Sequence, residues 1–474
     1  MNIEKNFINN QFINAPDAQL IAVYNPATTK LIAKVPAATE IEVLEAVKVA
    51  ASAQKLWRKL TSIERGQHLQ KLADSLEKYS AKIGASLALE SGKSLEDATN
   101  EAIYAADITR YHAQWARRIE GEIIPSDNPR ENLLLQREPI GVVTCLIPFN
   151  YPVYTFLRKV APALITGNTV IVRPSNNTPC SAFVIAQAVV DAGIPEGVIN
   201  VLTMKHDVAE ILCTHPKVGM ITLTGSVGAG RKVLEYSQVN IAKSSLELGG
   251  KSPAIVEADA DLSRAAREII ASKTTHCGQL CTAIERVYAQ SSIYPQFIEL
   301  LKDEMAKIRF GDRARTPHYM GPLVNENARL NIHQMVERAI DDGATLVTGG
   351  YIPEGTGYFY PPTLLINCRQ DMEIVQQEIF GPVLPVLSYS DTEQALEFAN
   401  DHQLGLASVI YTENYRTAMH LANEIEAGEV YINRTPGDPY QGYHAGWKRS
   451  GLGGDDGKHG MLEFTQTRLV VLNY

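Results

Sequence analysis

The chain carries no excess of basic residues. Its 44 Lys+Arg stand against 53 Asp+Glu over 474 residues, a formal charge of −9. A nucleic-acid binder needs a basic face for the phosphates, so that class is not expected. No apolar run reaches the ~18 residues of a membrane-spanning helix, and no membrane partner is expected. The N-terminus, MNIEKNFINN, has no basic stretch leading into an apolar one, so no signal peptide is read and a cytoplasmic location is expected. The six cysteines (Cys145, Cys180, Cys213, Cys277, Cys281 and Cys368) are scattered and form no CxxC pair. Neither a disulfide framework nor a metal site is expected from them. There is also no GxGxxG, the usual dinucleotide fingerprint. What is present is globular in character. With 45% hydrophobic residues the chain has the means to build a core, which excludes disorder. At roughly 100–200 residues per domain it is too long for one.

Short strands and turns are read over residues 1–38. Thr39 reads as an N-cap before a helix whose apolar residues are Ile41, Leu44, Val47 and Ala51. A second helix follows Ser62 toward Gly92, and a third covers 95–119. A polar insert at 121–140, its centre at Pro125, Asp127, Asn128 and Pro129 flanked by Ile123/Ile124 and Leu133–Leu135, reads as a projecting hairpin. From Gly141 onward, apolar strands (GVVTCLIP, NTVIVRPS, GVINVLT, VGMITLTGS, SPAIVEA) alternate with helices. That alternation predicts a parallel sheet with right-handed crossovers. Residues 260–450 alternate again, so two α/β domains are expected.

Four places stand out chemically. Cys281, in CGQLC, follows a helical stretch; Cys277, four residues earlier, is expected on the same helix face. Glu247 sits between Leu246 and Leu248 and before Gly249-Gly250, where desolvation is expected to raise its pKa and suit it to act as a base. Taken alone, a salt-bridged structural glutamate is the plainer reading. Asn150, in PFNYP, is either a turn residue or a fixed amide donor at a strand's carboxyl end. TGSVGAG (224–230) follows a strand and opens a helix, where backbone N–H groups hold phosphate.

PFNYP, RPS, TGSVGAG, LELGGK, GQLC, EIFGPV and INR occur in one order at characteristic spacings. This set resembles the NAD(P)-dependent aldehyde dehydrogenase superfamily over essentially the whole chain. WARRIEGEII and YINR…QGYHAGWKRSG…GKHG make it most similar to the bacterial lactaldehyde and glycolaldehyde dehydrogenases. The resemblance implies an α/β fold: a Rossmann-like cofactor domain (1–120 and 141–249), a second α/β catalytic domain (250–455) and a small β oligomerisation element (121–140 and 456–474). It implies a cysteine mechanism, with Cys281 as nucleophile, Asn150 and the Cys281 backbone N–H as oxyanion donors, and Glu247 as the base that hydrolyses the thioester. Lys159 would support a proton relay. Asp455 stands where the family usually has glutamate, one methylene longer.

The cofactor implied is NAD or NADP. Ile147, Pro148 and Phe149 would line the nicotinamide side; Gly225, Ser226 and Leu248 would lie by the pyrophosphate; Glu378 and Phe380 by the nicotinamide ribose. At the adenosine end, Arg173 replaces the usual lysine of KPS, Ser175 is kept, and Asn176 replaces an acidic residue. Loss of that carboxylate removes repulsion toward a 2′-phosphate, so NADP use is more plausible than in a typical relative. For substrate the resemblance points to Arg158, Thr282, Asp438 and His444. A cation and an imidazole favour a small polar aldehyde, with Arg158 offering its donor fork to a hydroxyl. The alternative is a semialdehyde dehydrogenase of the succinate semialdehyde type, in which Arg158 binds the substrate carboxylate. Beyond the small aldehyde, a homo-oligomer, dimer or tetramer, is expected.

Overall fold

A computed structural model describes residues 2–14, 19–314, 316 and 319–474. Two large sheets dominate. The first has eight strands, ordered Gly451–Leu452, Lys243–Glu247, Val218–Thr224, Val142–Leu146, Thr169–Arg173, Ile199–Val201, Asn6–Ile8 and Gln11–Ile13. The five from Lys243–Glu247 to Ile199–Val201 are parallel. They read as unbroken Val/Ile runs because helices cover both faces. One apolar layer contains Val143, Cys145, Val170 and Val172 under helices Ser62–Ser91, Pro152–Ile165 and Cys180–Asp191. The other contains Val142, Ile171 and Ile221 under Glu40–Trp57, His206–Thr214 and Val227–Asn240.

The chain enters the parallel part at Val142–Leu146 and steps one way through Thr169–Arg173 and Ile199–Val201. It then crosses back to Val218–Thr224 and Lys243–Glu247 on the other side. Crossovers leaving in opposite directions open a crevice beyond the carboxyl ends of Val142–Leu146 and Val218–Thr224. Open α/β sheets bind ligands at such a switch point.

The second sheet has seven strands, in the order Thr345–Thr348, Thr363–Ile366, Val383–Tyr389, Ile284–Gln290, Ser252–Val256, Ala407–Tyr411 and Glu429–Ile432. Only the first is antiparallel to its neighbour. A third sheet pairs Thr465–Asn473 with Glu131–Pro139 along nine residues, and Glu131–Pro139 with Glu122–Pro125. Two α/β units and a small β element are thus the architecture observed. Among the described residues no helix is long and apolar enough to cross a membrane.

Local signals account for several boundaries. Thr39 and Thr61 each form a reciprocal capping box, with Glu42 and Glu64, satisfying two otherwise orphaned donors apiece. Gly92 closes Ser62–Ser91 in the left-handed region, where glycine has no Cβ to clash. Two expectations are corrected. The third helix ends at Ala113 and tightens into a 3₁₀ turn over Gln114–Arg117. The buried face of the first is Val43, Ala46, Val47 and Ala50, while Ile41 is 79% exposed. Small residues win there because the helix lies close on the sheet: Thr169 Oγ1 donates to the Ala50 carbonyl at 2.9 Å.

Candidate active site

Helix Leu262–Thr274 stops short of the cysteine motif. Thr275–Gly278 is a tight turn in which His276 and Cys277 take positive φ, 47° and 59°. Cys277 therefore shares no helix face with Cys281, contrary to the spacing argument. The turn is forced by close packing: a Cβ on Gly278 would lie 2.4 Å from the Gly381 carbonyl. Gln279 then pins the loop, donating to the His276 carbonyl and accepting from the Val324 N–H. Asn150, just before helix Pro152–Ile165, donates through Nδ2 to the Gln279 carbonyl at 2.9 Å. Its second amide hydrogen has no acceptor among the described residues. Cys281 is the only one of the six cysteines not fully buried. Burial and the Glu247 charge push its thiol up to about 12, and the His444 ring opposes them.

The two glycines of LELGGK have separate reasons. A Cβ on Gly249 would meet the Glu378 carboxylate at 2.3 Å, and one on Gly250 would meet the Cys281 carbonyl at 2.3 Å. The strand end carrying Glu247 is thereby brought against both the cysteine loop and EIFGP. Gly250 N–H donates to Glu378 Oε1 at 3.1 Å. Burial, with the Glu285 charge behind it, pushes Glu378 up to about 8. Glu285 itself accepts from Lys251 Nζ at 2.9 Å, from Lys273 Nζ, and from the N–H groups of Ile379 and Phe380.

Facing Cys281 is a buried cluster of charge. His444 Nε2 lies 3.2 Å from Glu247 Oε1, but skewed, so neither atom has an aligned hydrogen-bond partner among the described residues. One donor or acceptor atom from each of Glu247, Cys281 and His444 lies within 4.8 Å of the others. Sequence proximity gave no sign of this set. His444 Nδ1 is 3.0 Å from Glu429 Oε1 and 3.7 Å from Asp438 Oδ2. Burial and the Arg158 charge oppose a charged imidazole, but Asp438, with the Cys281 and Glu247 side chains, holds it well above its usual pKa.

The expectation of a raised Glu247 is overturned. Burial does oppose its charge, but the His444 ring, Arg158 and Lys159 outweigh it and hold the carboxyl below its ordinary value. The Arg158 fork is not free either. Nε and Nη2 grip both oxygens of Asp456, and Nη1 lies 3.3 Å from Asp438 Oδ2. Asp438 Oδ1, in contrast, is buried with no partner among the described residues. Lys159 reaches Asp455 Oδ2 at 2.9 Å and Thr222 Oγ1 at 3.0 Å, so the shorter aspartate makes the contact. Thr282 is buried in the turn after Cys281.

A cleft of about 990 Å³ leads from Cys281 and Glu247 along the switch point. Ile147, Pro148 and Phe149 line one wall; Gly225 and Ser226 the middle; Glu378 and Phe380 stand near Cys281; Arg173, Ser175 and Asn176 lie at the far end. Phe149 and Phe380 meet edge to face at 5.8 Å. Two sequence expectations shift here. Leu248 does not line the cleft: its side chain packs beneath the Val227–Asn240 helix, where a Cβ on Gly230 would lie 2.7 Å from it. Ser226 Oγ caps that helix by accepting from Ala229 N–H. The remaining first-turn N–H groups are left as the donors that could hold a phosphate there. Arg173 Nε and Asn176 Oδ1 are buried and have no partner among the described residues. Orphaned polar atoms at one end, a helix start at the middle and a carboxyl with two aromatic rings at the other fit NAD or NADP.

Sequence reasoning passed over Glu429, Asp456, Gln279, Lys251 and Glu285. Lys251 ends LELGGK and Gln279 sits within GQLC, so the motifs contained them. Glu429 and Asp456 carry no local signal of this site, since the site residues they meet, His444 and Arg158, lie 15 and 298 residues away.

The profile described as the aldehyde dehydrogenase family matches residues 12–470. The chain is 44% identical over 468 residues to lactaldehyde dehydrogenase of Escherichia coli K12, covering 98% of each. It is 35% identical over 476 residues to D-glyceraldehyde dehydrogenase (NADP(+)) of Picrophilus torridus, covering 99% of this chain and 96% of that one. The crystal structure of lactaldehyde dehydrogenase from Escherichia coli superposes with a TM-score of 0.98 at 43% identity, covering 100% of this chain and 99% of that one.

Removing Glu285 strands two buried lysines. Glu285→Ala is expected to cost roughly 3–5 kcal/mol, the loss typical of breaking a buried ion pair from one side. Urea unfolding followed by fluorescence reads it directly. A midpoint equal to that of the parent protein would show that water replaces the carboxylate.

Proposed function

The chain belongs to the aldehyde dehydrogenase family, and from that premise we propose that its substrate is a small hydroxy-aldehyde of the lactaldehyde or glycolaldehyde type. NAD(P)-dependent oxidation of an aldehyde is its reaction. The substrate reading rests on one observation: Nε and Nη2 of Arg158 already hold Asp456, while Asp438 Oδ1 has no donor among the described residues. A hydroxyl can donate to that oxygen. A substrate carboxylate finds the guanidinium fork taken and meets Asp438, Asp456, Glu429 and Glu247 around it, so the semialdehyde alternative is disfavoured.

In this reading Cys281 Sγ attacks the aldehyde carbon. The resulting alkoxide is held by the second Asn150 amide hydrogen and the Cys281 backbone N–H, donors fixed in advance by the Gln279 loop. Phe149, Glu378 and Phe380 would hold the nicotinamide end of NAD(P), which would supply the hydride acceptor; loss of hydride leaves an acyl group on sulfur. Glu247, kept ionised by His444, Arg158 and Lys159, accepts a proton from water as it attacks that thioester. Lys159 and Asp455 lie behind it as a buried pair through which charge is balanced. The cofactor unit in this assignment is 1–120 with 141–249, and the catalytic unit 250–455.

At the adenosine end, Arg173 and Asn176 leave room and positive charge for a 2′-phosphate, and NADP use is part of the proposal. The sheet of Glu122–Pro125, Glu131–Pro139 and Thr465–Asn473 is assigned to contact with a second copy. Directly paired residues share a face, so Ile124, Leu133, Leu135, Leu469 and Val471 form one apolar surface. Leu469 and Val471 are 55% and 52% exposed.

Three measurements test these assignments. Steady-state kcat/KM is compared for lactaldehyde, glycolaldehyde, succinate semialdehyde and propanal. The hydroxy-aldehydes are expected to lead, and Asp438→Asn to lower them roughly tenfold, the difference between a charged and a neutral acceptor. Propanal, with no hydroxyl to place, should change little. Succinate semialdehyde as the best substrate would reverse the proposal. Asn176→Glu should move the NADP/NAD ratio of kcat/KM toward NAD; an unchanged ratio removes this position from cofactor choice. Sedimentation velocity of the Leu469→Asp, Val471→Asp double variant should show a smaller particle than the parent, and equal sedimentation would assign the interface elsewhere.

A further inference from the structure

His444 sits where a thiolate needs a cation, although sequence resemblance assigns it only to substrate. Its backbone is clamped in both directions to Asp455, N–H to carbonyl at 3.0 Å and carbonyl from N–H at 2.8 Å. The ring is 1% exposed and has no freedom to leave. Nδ1 faces Glu429 Oε1 at 3.0 Å, so that side of the ring is engaged by a carboxylate. Nε2 is thereby directed into the space between Glu247 and Cys281, and it has no aligned partner there among the described residues. A buried, unsatisfied ring nitrogen inside a reaction site calls for a functional explanation.

The charges around the ring point the same way. From the Glu429–Ile432 strand come Glu429 and the phenol of Tyr431; from the Lys243–Glu247 strand comes Glu247. From the loop before it comes Asp438, and from Pro152–Ile165 comes Arg158, whose charge opposes the imidazolium. Asp456 lies beyond, neutralised against Arg158. Carboxylates outnumber the single competing cation, so the ring holds its proton. Cys281 meanwhile is set against ionisation by burial and by Glu247. Of the groups acting on the thiol, the His444 ring is the one that favours its charged form most.

We propose that His444, oriented by Glu429, is the counter-ion of the Cys281 thiolate. The Sγ–H bond breaks and the proton passes to the Glu247 carboxylate, an acceptor within 4.8 Å with no aligned partner among the described residues, and leaves it for solvent along the cleft before Glu247 takes the proton of the hydrolytic water. The electron pair stays on sulfur, facing the imidazolium Nε2–H. Glu429 is a positioning residue in this scheme: it touches neither sulfur nor substrate. The inference rests on Cys281 being the nucleophile and deepens that reading.

The test needs no aldehyde. The rate of Cys281 alkylation by iodoacetamide is measured against pH in the full-length protein, in buffer containing EDTA, with modified Cys281 quantified by peptide mass spectrometry. The thiolate is the form that reacts, so the rate rises through the thiol pKa. His444→Gln and His444→Asn are expected to move that midpoint upward by more than about one unit and to slow alkylation near neutral pH by at least roughly tenfold. Glu429→Gln, which keeps the shape but removes the charge, should move it upward by less. Glu429→Asp should restore part of the shift, which a merely structural loss would not do. Quenching of protein fluorescence by added NADP+ verifies that each variant keeps its cofactor cleft. Midpoints unchanged in both His444 variants would overturn the proposal and leave His444 to the substrate alone. Retained dehydrogenase turnover in Cys281→Ser is a separate result: it would overturn the assignment of the nucleophile itself.

Discussion

Two lysine ammoniums and two backbone amides converge on one buried carboxylate, Glu285. Lys251 belongs to the segment after Glu247, Lys273 to the end of the helix before the cysteine loop, and Ile379 and Phe380 to EIFGP. Three stretches, the last of them 94 residues beyond Glu285, are therefore fixed to a single group. In a dry interior a carboxylate is stable only when all its lone pairs are met, and the same holds for each lysine. The arrangement cannot be loosened at one member without stranding the others. It sets the distance between Glu247, Cys281 and Glu378. The close approaches at Gly249 and Gly250, which no larger residue permits, follow from that distance.

Around the Cys281 sulfur the electrostatics run differently. Glu285 is balanced by cations, whereas the far side of the site carries Glu247, Glu429, Asp438 and Asp456 against Arg158 and His444. Such an acidic pocket keeps Arg158 charged but occupied. It also turns the expected behaviour of Glu247 around. Burial among leucines would raise a lone carboxyl, yet the cations brought in from Arg158, Lys159 and His444 lower it. Glu247 is thereby ready as an acceptor at neutral pH, at the cost of being a weaker base. An environment built to hold one imidazolium and one guanidinium among four acids has no place for a further anion, which is the physical content of the substrate assignment.

The sequence disclosed the parallel sheets well, because strands covered on both faces leave unbroken Val/Ile runs such as TVIVR and VGMITLT. It disclosed Cys281, Glu247 and Asn150 through the company of their motifs, and the structure brings all three to one cleft or its rim. Periodicity failed where packing distance decided the face: Ile41 and Leu44 fit a helical stripe, but only alanine and valine fit against the strand beneath. Spacing failed at Cys277, since a four-residue interval implies a shared face only if the helix continues, and it does not. Arg158 shows a third kind of loss. Its chemistry was read from its type, but a guanidinium serves whichever acids the fold places beside it, and Asp456 lies 298 residues away.

That distance reflects how the last part of the chain is used. After the Glu429–Ile432 strand closes one side of the second sheet, residues 433–456 run back to the first, where Gly451–Leu452 pairs with Lys243–Glu247. Ser450 accompanies it: its carbonyl receives the Leu248 N–H, and its hydroxyl donates to the Gly249 carbonyl. This returning segment is thus hydrogen-bonded to the strand end that presents Glu247. It also delivers Asp438, His444, Asp455 and Asp456 to the site from outside either sheet. Antiparallel clamping of His444 to Asp455 converts a loop into a rigid support for the imidazole. The Cys281 loop and Glu247 are held by the two sheets, and four of the charged groups around them, Asp438, His444, Asp455 and Asp456, arrive together on one crossing strap. Changes within that strap can alter protonation and substrate fit without disturbing the frame that sets the Cys281–Glu247 distance.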